Sequence, residues 1–312
     1  MCDSTSMITG LLRLGTRASP LAIAQTKLVC RGLEKLHPEL KIEVITISTT
    51  GDKVVDRRLS EVGGKGLFAK EIEEALFADE IDAAVHSMKD LETQLPDGLC
   101  IAAVLAREDP WDAFIGNDVL TLAELPVGAN VGTASLRRQA QLLALRPDLR
   151  IVPIRGNVGT RIDKIRAGEV DATILALAGL KRLGVEKFAT QVFTPDVVLP
   201  AVAQGAICVE IRENDVRASS ALMALNDPDS ELCVSVERAF LNNLDGSCHT
   251  PIAGFAEFHG AYINLRALVA IPDGSKVWKI NRNAARDDAI EMAEKVGNEL
   301  KVEIGPELIS WS

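Results

Sequence analysis

The chain has 312 residues, is 47% hydrophobic and 25% charged, and carries a formal net charge of -10. That length exceeds one ordinary core and predicts two or three domains, while the acidic balance argues against a nucleic-acid backbone as partner. Its longest apolar runs, such as Ala172 to Leu180, fall short of the roughly 20 residues of a membrane span, and MCDSTSM has an acid where a secretory signal is basic, so a soluble, cytoplasmic protein is expected. Six cysteines without a C-x-x-C pair predict reduced thiols, and four scattered histidines predict no structural metal.

LLRLGTRASPLAIAQTKLV reads as a strand, a Gly-Thr-Arg turn and a helix capped by Ser19 with Pro20 at its first position. Lys41 to Ile47 reads as a strand, Phe68 to Phe77 as an amphipathic helix and Asp82 to Val85 as a short strand, the βαβ order of a parallel sheet. Between them, Thr49 to Gly66 is polar, glycine-rich and without a period, which predicts a functional loop or lid. HSMKD (His86 to Asp90) follows the strand at the end where ligands gather. A second strand-turn-helix unit begins near Gly132, so the chain is expected to hold two similar α/β domains. Asp171 to Leu175 reads as a strand, with LAGLKRLG after it as a helix ended by Gly184. Prolines and glycines at Leu105 to Pro110 and Leu199 to Gly205 mark candidate crossings between domains. The last hundred residues read as a small α+β domain: a helix near Ser230 to Asn242, the strand AYINLRALVA, a Pro-Asp-Gly turn at Pro272 and a helix from about Asp287 to Leu300.

Between Val131 and Arg161 stand six arginines and one acid, Asp148, and four of the arginines lie at two glycine-threonine turns, GTASLRRQAQL and RGNVGTRIDKI. Helix starts with unpaired N–H groups favour anions, and guanidinium forks grip carboxylates through two hydrogen bonds. The pattern predicts a socket for several carboxylates, against the blander alternative of ordinary surface charge. Asp90 has its own bland alternative, a helix cap, as any cysteine does in being a small buried hydrophobe.

The motifs GTRASPLA, GGKGLF, HSMKD, GTASLRRQAQL, RGNVGTR, LAGLKRLG, LPAVAQGA and DGSCHTPIAGFAE run through nearly the whole chain in order. Together they resemble the porphobilinogen deaminase (hydroxymethylbilane synthase) family. The resemblance implies a transferase of tetrapyrrole synthesis that joins four porphobilinogen molecules head to tail with loss of ammonia. It implies a fold of two periplasmic-binding-protein-like (type II) α/β domains plus a small C-terminal α+β domain, with expected bounds of 1–105 plus 200–222, 106–199 and 223–312. It also implies a covalent dipyrromethane cofactor, held through a thioether at Cys248, with Lys89, Ser87, Thr133, Ser135, Arg137, Arg138, Arg161 and Gly156 around it. Asp90 is then the catalytic carboxylate. Arg17, Ser19, Lys65, Arg155, Arg182 and Gln204 are the expected contacts to substrate, with no metal, no nucleic acid, no membrane and a monomeric chain. Glu61, Ala134, LETQLP and SCHTP depart from the family's usual residues without removing an essential group. A two-lobed organic-anion-binding protein without catalysis is the rival expectation. A phosphate-handling transferase fits less well, because no G-x-x-x-x-G-K-[ST] loop occurs.

Overall fold

The computed structural model describes residues 9–53, 66, 68–244 and 250–305. The first unit runs β1 (Gly10–Arg17), α1 (Pro20–Leu36), β2 (Leu40–Ile47), α2 (Thr50–Lys53), α3 (Lys70–Phe77), β3 (Ala83–Ser87), a 3-10 turn at Met88–Asp90 and β4 (Leu99–Val104). The second runs β5 (Asp112–Gly116), β6 (Asn130–Gly132), α4 (Leu136–Leu145), β7 (Arg150–Val152), α5 (Val158–Arg166), β8 (Ala172–Ala176), α6 (Leu177–Arg182) and β9 (Gln191–Val192). The chain then returns through β10 (Ile207–Arg212) and α7 (Val216–Leu222). It ends with α8 (Pro228–Asn243), β11 (Ile252–His259), β12 (Tyr262–Ala270), β13 (Val277–Ala285) and α9 (Ala289–Ile304).

Two five-stranded sheets share one layout, β2-β1-β3-β10-β4 and β7-β6-β8-β5-β9. In each, the first three strands are parallel and the fourth is antiparallel. The parallel βαβ order read for β2, α3 and β3 holds, and each sheet gains one antiparallel strand, because β10 enters the first sheet from the far side of the second unit, and β5 enters the second straight from the first. This exchange makes two crossings, at 105–111 and 193–206, which contain the two proline-glycine segments noted in the sequence. The internal repeat extends to packing: a Cβ at Gly15 in β1 would lie 2.3 Å from Ile81, and one at Gly132 in β6 would lie 2.6 Å from Ile154.

Ser19 caps α1 by accepting from Ala22 N, and Pro20 occupies the first turn, where its missing N–H costs nothing. Val29 and Leu33, four apart on one face, are fully buried against Leu12, Leu14 and Val85. Each contributes about 1.5–3 kcal/mol by leaving water. The three-stranded antiparallel sheet β11-β12-β13 packs one face on α8 and α9, with Phe240, Ile263, Leu265, Ala293 and Val296 between them. Its other face meets α4 and the second crossing through Phe255, Leu268, Ala140 and Leu199. The stretch expected as a period-free loop begins with the short helix α2, and its residues 54–65 lie outside the described ones.

Candidate functional site

Arg17 ends β1, Ser87 ends β3, and Asp90 follows three residues later. In the second sheet Thr133 follows β6, Arg155 follows β7 and Arg182 closes the helix after β8. The side chains expected at the site thus cluster beyond the carboxyl ends of parallel strands in both sheets, where an α/β fold opens its crevice.

A recess is lined by Arg17, Ser19, Gln25, Phe68, Ser87 and Asp90, among others. Asp90 is exposed there, and its side chain has no hydrogen-bond partner among the described residues. The Arg17 guanidinium lies 4.1 Å from the Phe68 ring centroid. Gln25 Nε2 donates to Ser87 Oγ at 2.7 Å, which leaves the serine O–H to point elsewhere. Gln25 and Phe68 escaped the sequence expectations because a glutamine in an amphipathic helix and a phenylalanine before one carry no local signal of a site.

Lys89, half-buried, donates through Nζ to Gln204 Oε1 at 3.3 Å. Gln204 is fully buried, and its Nε2 donates to Pro110 O at 2.7 Å and to Asp112 Oδ1 at 2.9 Å. Arg138 donates to the same Oδ1 and to Ile174 O, while Arg137 donates to Asp112 Oδ2 and Leu199 O. Arg137 and Arg138, expected from sequence to hold carboxylates of the cofactor, are 5% and 6% exposed and turned onto Asp112. The sequence window held one acid, but β5 delivers a second from outside it. Gln204, expected to touch substrate, is 0% exposed and spans the two crossings instead.

Burial would raise the Asp112 carboxyl, yet Arg137 and Arg138 hold it well below the usual carboxylate range. Arg137 is lowered by burial, with Asp112 opposing. Lys89 is lowered to about 8, by burial first, with Asp90 pulling it back up. Arg161 is lowered to about 10 by burial and by the neighbouring Arg138 and Arg155, again opposed by Asp90. Burial lowers Arg155 as well and takes Arg182 to about 10. For Lys89, Arg161 and Arg182 burial outweighs the negative groups nearby.

The remaining expected residues are placed by their local caps. Ser135 caps α4 by accepting from Arg138 N, and Thr133, buried, accepts from Ser135 N through Oγ1. Gly156 has φ +110 and accepts from Arg161 Nε through its carbonyl at 2.9 Å. Arg182 donates to Gly205 O at 2.5 Å, and its Nε is buried with no partner among the described residues. Lys65, Cys248 and Glu61 lie outside the described residues. Among the described residues no His, Cys, Asp or Glu group could hold a metal, Cys30, Cys100, Cys208 and Cys233 are free thiols, and no helix is long and apolar enough to cross a membrane.

A dipyrromethane bears acetate and propionate groups, and the donor set suits it. The orphaned Arg182 Nε and the under-compensated Arg161 and Lys89 offer N–H groups to carboxylates, and the acid of the second sheet is already consumed by Arg137 and Arg138.

The family model for "porphobilinogen deaminase, dipyromethane cofactor binding domain" matches residues 12–220, and that for "porphobilinogen deaminase, C-terminal domain" matches residues 231–302. A porphobilinogen deaminase of Nitrobacter winogradskyi is 50% identical over 298 residues, covering 95% of this chain and 94% of its own. One from Paracoccus denitrificans is 49% identical over 303 residues, with 96% and 97% covered. Among solved structures, the methionine binding protein MetQ aligns at 13% identity and a TM-score of 0.45, covering 71% of this chain and 92% of that one. Matched along nearly its whole length, the chain belongs to the porphobilinogen deaminase family.

Proposed function

We propose that the protein is a transferase that condenses four porphobilinogen molecules head to tail into hydroxymethylbilane with release of ammonia. The observation that supports this most directly is the pairing of one exposed carboxylate, Asp90, with cations that lack enough negative partners, Lys89 and Arg161, at the mouth between the two sheets. When bound through Cys248, the dipyrromethane supplies the nucleophilic pyrrole end to which substrate units are joined. Arg155, Arg161, Arg182, Lys89 and the Ser87 and Ser135 hydroxyls hold acetate and propionate groups, while Arg17, Ser19 and Lys65 hold those of the arriving substrate. Arg137, Arg138 and Gln204 form the frame behind them.

Asp90 does the chemistry. Loss of ammonia leaves a cationic methylene-pyrrolenine, and the attacking pyrrole also becomes positive before it loses a proton. A fixed carboxylate stabilises both charges and can accept that proton. Arginines that fix several carboxylates hold the reacting carbons near each other, which lowers the entropic part of the barrier.

The same reading places the protein in the cytoplasm as a monomer, with domains at 1–105 plus 200–222, 106–199 and 223–312. Intact mass after expression in a cell that makes porphobilinogen should exceed the bare polypeptide by the two-pyrrole adduct, and Cys248→Ser should lack it. Asp90→Ala should keep the adduct and lose turnover by about 10²–10⁴-fold. A bare mass together with porphobilinogen bound but not consumed would turn the assignment toward an anion-binding protein.

A further inference from the structure

No described residue hydrogen-bonds the Asp90 carboxylate, so its place depends on the chain to either side of it. Before it, Met88 N donates to Ala206 O at 3.1 Å. The Met88 and Leu91 side chains are both buried, in the core cluster that also holds Val234 and Phe240 of α8.

The main chain beyond Asp90 is held from the same helix. Arg238, nine-tenths buried, donates through Nη1 to Leu91 O at 3.2 Å, and through Nη2 to Glu92 O at 2.5 Å and Thr93 O at 3.1 Å. One turn further along α8, Asn242 Oδ1 accepts from Thr93 Oγ1 and Gln94 Nε2, each at 3.2 Å. Positions four apart lie on one helical face, so a single side of α8 makes five hydrogen bonds to residues 91–94. A buried guanidinium is ordinarily matched by a carboxylate. Among the described residues, the terminal nitrogens of Arg238 serve three successive carbonyls instead, directly after the residue that carries the chemistry. Such a clamp fixes a backbone path, and a misplacement of about 1 Å at a reacting centre can cost about 10²-fold in rate. Helix α8 ends at Asn243, and Cys248 follows five positions later in the sequence. The helix that holds the turn therefore leads into the residue expected to carry the primer.

We propose that Arg238 and Asn242 are positioning residues for Asp90: from one face of α8 they hold residues 91–94, and so keep the carboxylate in a fixed place while the tethered chain grows. They touch no substrate and act only through Asp90. Losing them leaves the arginines that bind carboxylates where they are, so the loss falls on kcat and spares KM.

The inference rests on the proposed activity, and two readouts keep the failures apart. In porphobilinogen consumption by full-length protein shown by intact mass to carry the two-pyrrole adduct, Arg238→Met should lower kcat about tenfold or more, with KM within about twofold of the wild type. Asn242 is exposed, so Asn242→Ala decides should Arg238→Met fail to fold, and it should lower kcat about threefold. In an Asp90→Ala background the same substitutions should change the residual rate by less than about twofold, because the group they place is gone. A merely structural role would cost the same in both backgrounds, and that result, or a folded Arg238→Met with normal kcat, overturns the positioning role. Independently of turnover, amide hydrogen exchange at residues 91–94 should quicken about tenfold in Arg238→Met and measurably in Asn242→Ala. Unchanged exchange in both overturns the clamp. A wild type that consumes no porphobilinogen overturns the activity, and the exchange rates still decide whether α8 holds the turn.

Discussion

Arg138 donates to Asp112 Oδ1 through Nη2 at 2.7 Å and through Nε at 3.2 Å, inside a site that needs arginines for its ligands. With Arg137 on Oδ2 and Gln204 on Oδ1, the carboxylate joins α4, β5 and the second crossing. Removing it leaves two buried guanidinium groups uncompensated, so Asp112→Asn should lose about 3–5 kcal/mol of stability in urea unfolding. The lowered carboxyl contributes stability above its unfolded value near 4, and that contribution disappears as pH falls through the still lower folded value. The wild type should therefore outlast Asp112→Asn at pH 5 as well as at pH 7. Equal unfolding midpoints at both would mean that the arginines find other partners.

Much of this arrangement was legible in sequence, and the part that was not has a definite cause. The cap at Ser19, the turn at HSMKD and both crossings follow from local rules that a strand-turn-helix unit obeys by itself. The partners of Arg137 and Arg138 do not, because Asp112 stands some 25 residues earlier and reaches them only when β5 pairs with β8. Likewise β10 was unread: its burial on both faces gives ICVEIR little alternation, and its place in the first sheet depends on a crossing of about a hundred residues. Glu210 inside it looks like surface charge until its neighbours are known.

Arg161 and Arg137 should separate by experiment, although both belong to the same predicted socket. Arg161 donates only through Nε to Gly156 O among the described contacts and is lowered to about 10 by burial, so truncating it removes a cation the fold holds at a cost. Arg161→Ala should leave the unfolding midpoint unchanged or raised, while KM for porphobilinogen rises about tenfold or more, the value of a charge-assisted pair. Arg137→Ala strips a partner from buried Asp112 and should destabilise the protein first. A destabilised Arg161→Ala with normal KM would reverse the two roles.

Lys89 gives the site a second pH limit. Its folded value, lowered to about 8, lies below the ordinary 10.5, so the unfolded chain binds the proton more tightly and stability rises with pH between those values. Carboxylate binding runs the other way, because the cationic form is lost as pH climbs through about 8. Lys89→Arg, which stays charged, should flatten the rise of KM above pH 8. Wild-type and Lys89→Arg profiles with the same alkaline limb would remove Lys89 from the binding set.

Gly205 is the position where backbone geometry and the site are most tightly joined. Its φ is +92, and a Cβ there would lie 2.3 Å from Glu108 O, a backbone atom that cannot swing aside. The surrounding segment carries three contacts to the candidate site: Gly205 O accepts from Arg182 Nη2, the Gln204 side chain accepts from Lys89, and Ala206 O accepts from Met88 N at the start of the Met88–Asp90 turn. Gly205→Ala adds left-handed strain to a clash, so it should cost about 2 kcal/mol or more. The displaced segment moves Arg182, Lys89 and the Asp90 turn together, so kcat and KM should both worsen in the surviving folded protein. Loss of stability with unchanged kinetics would mean that the second crossing holds the domains together without holding the site.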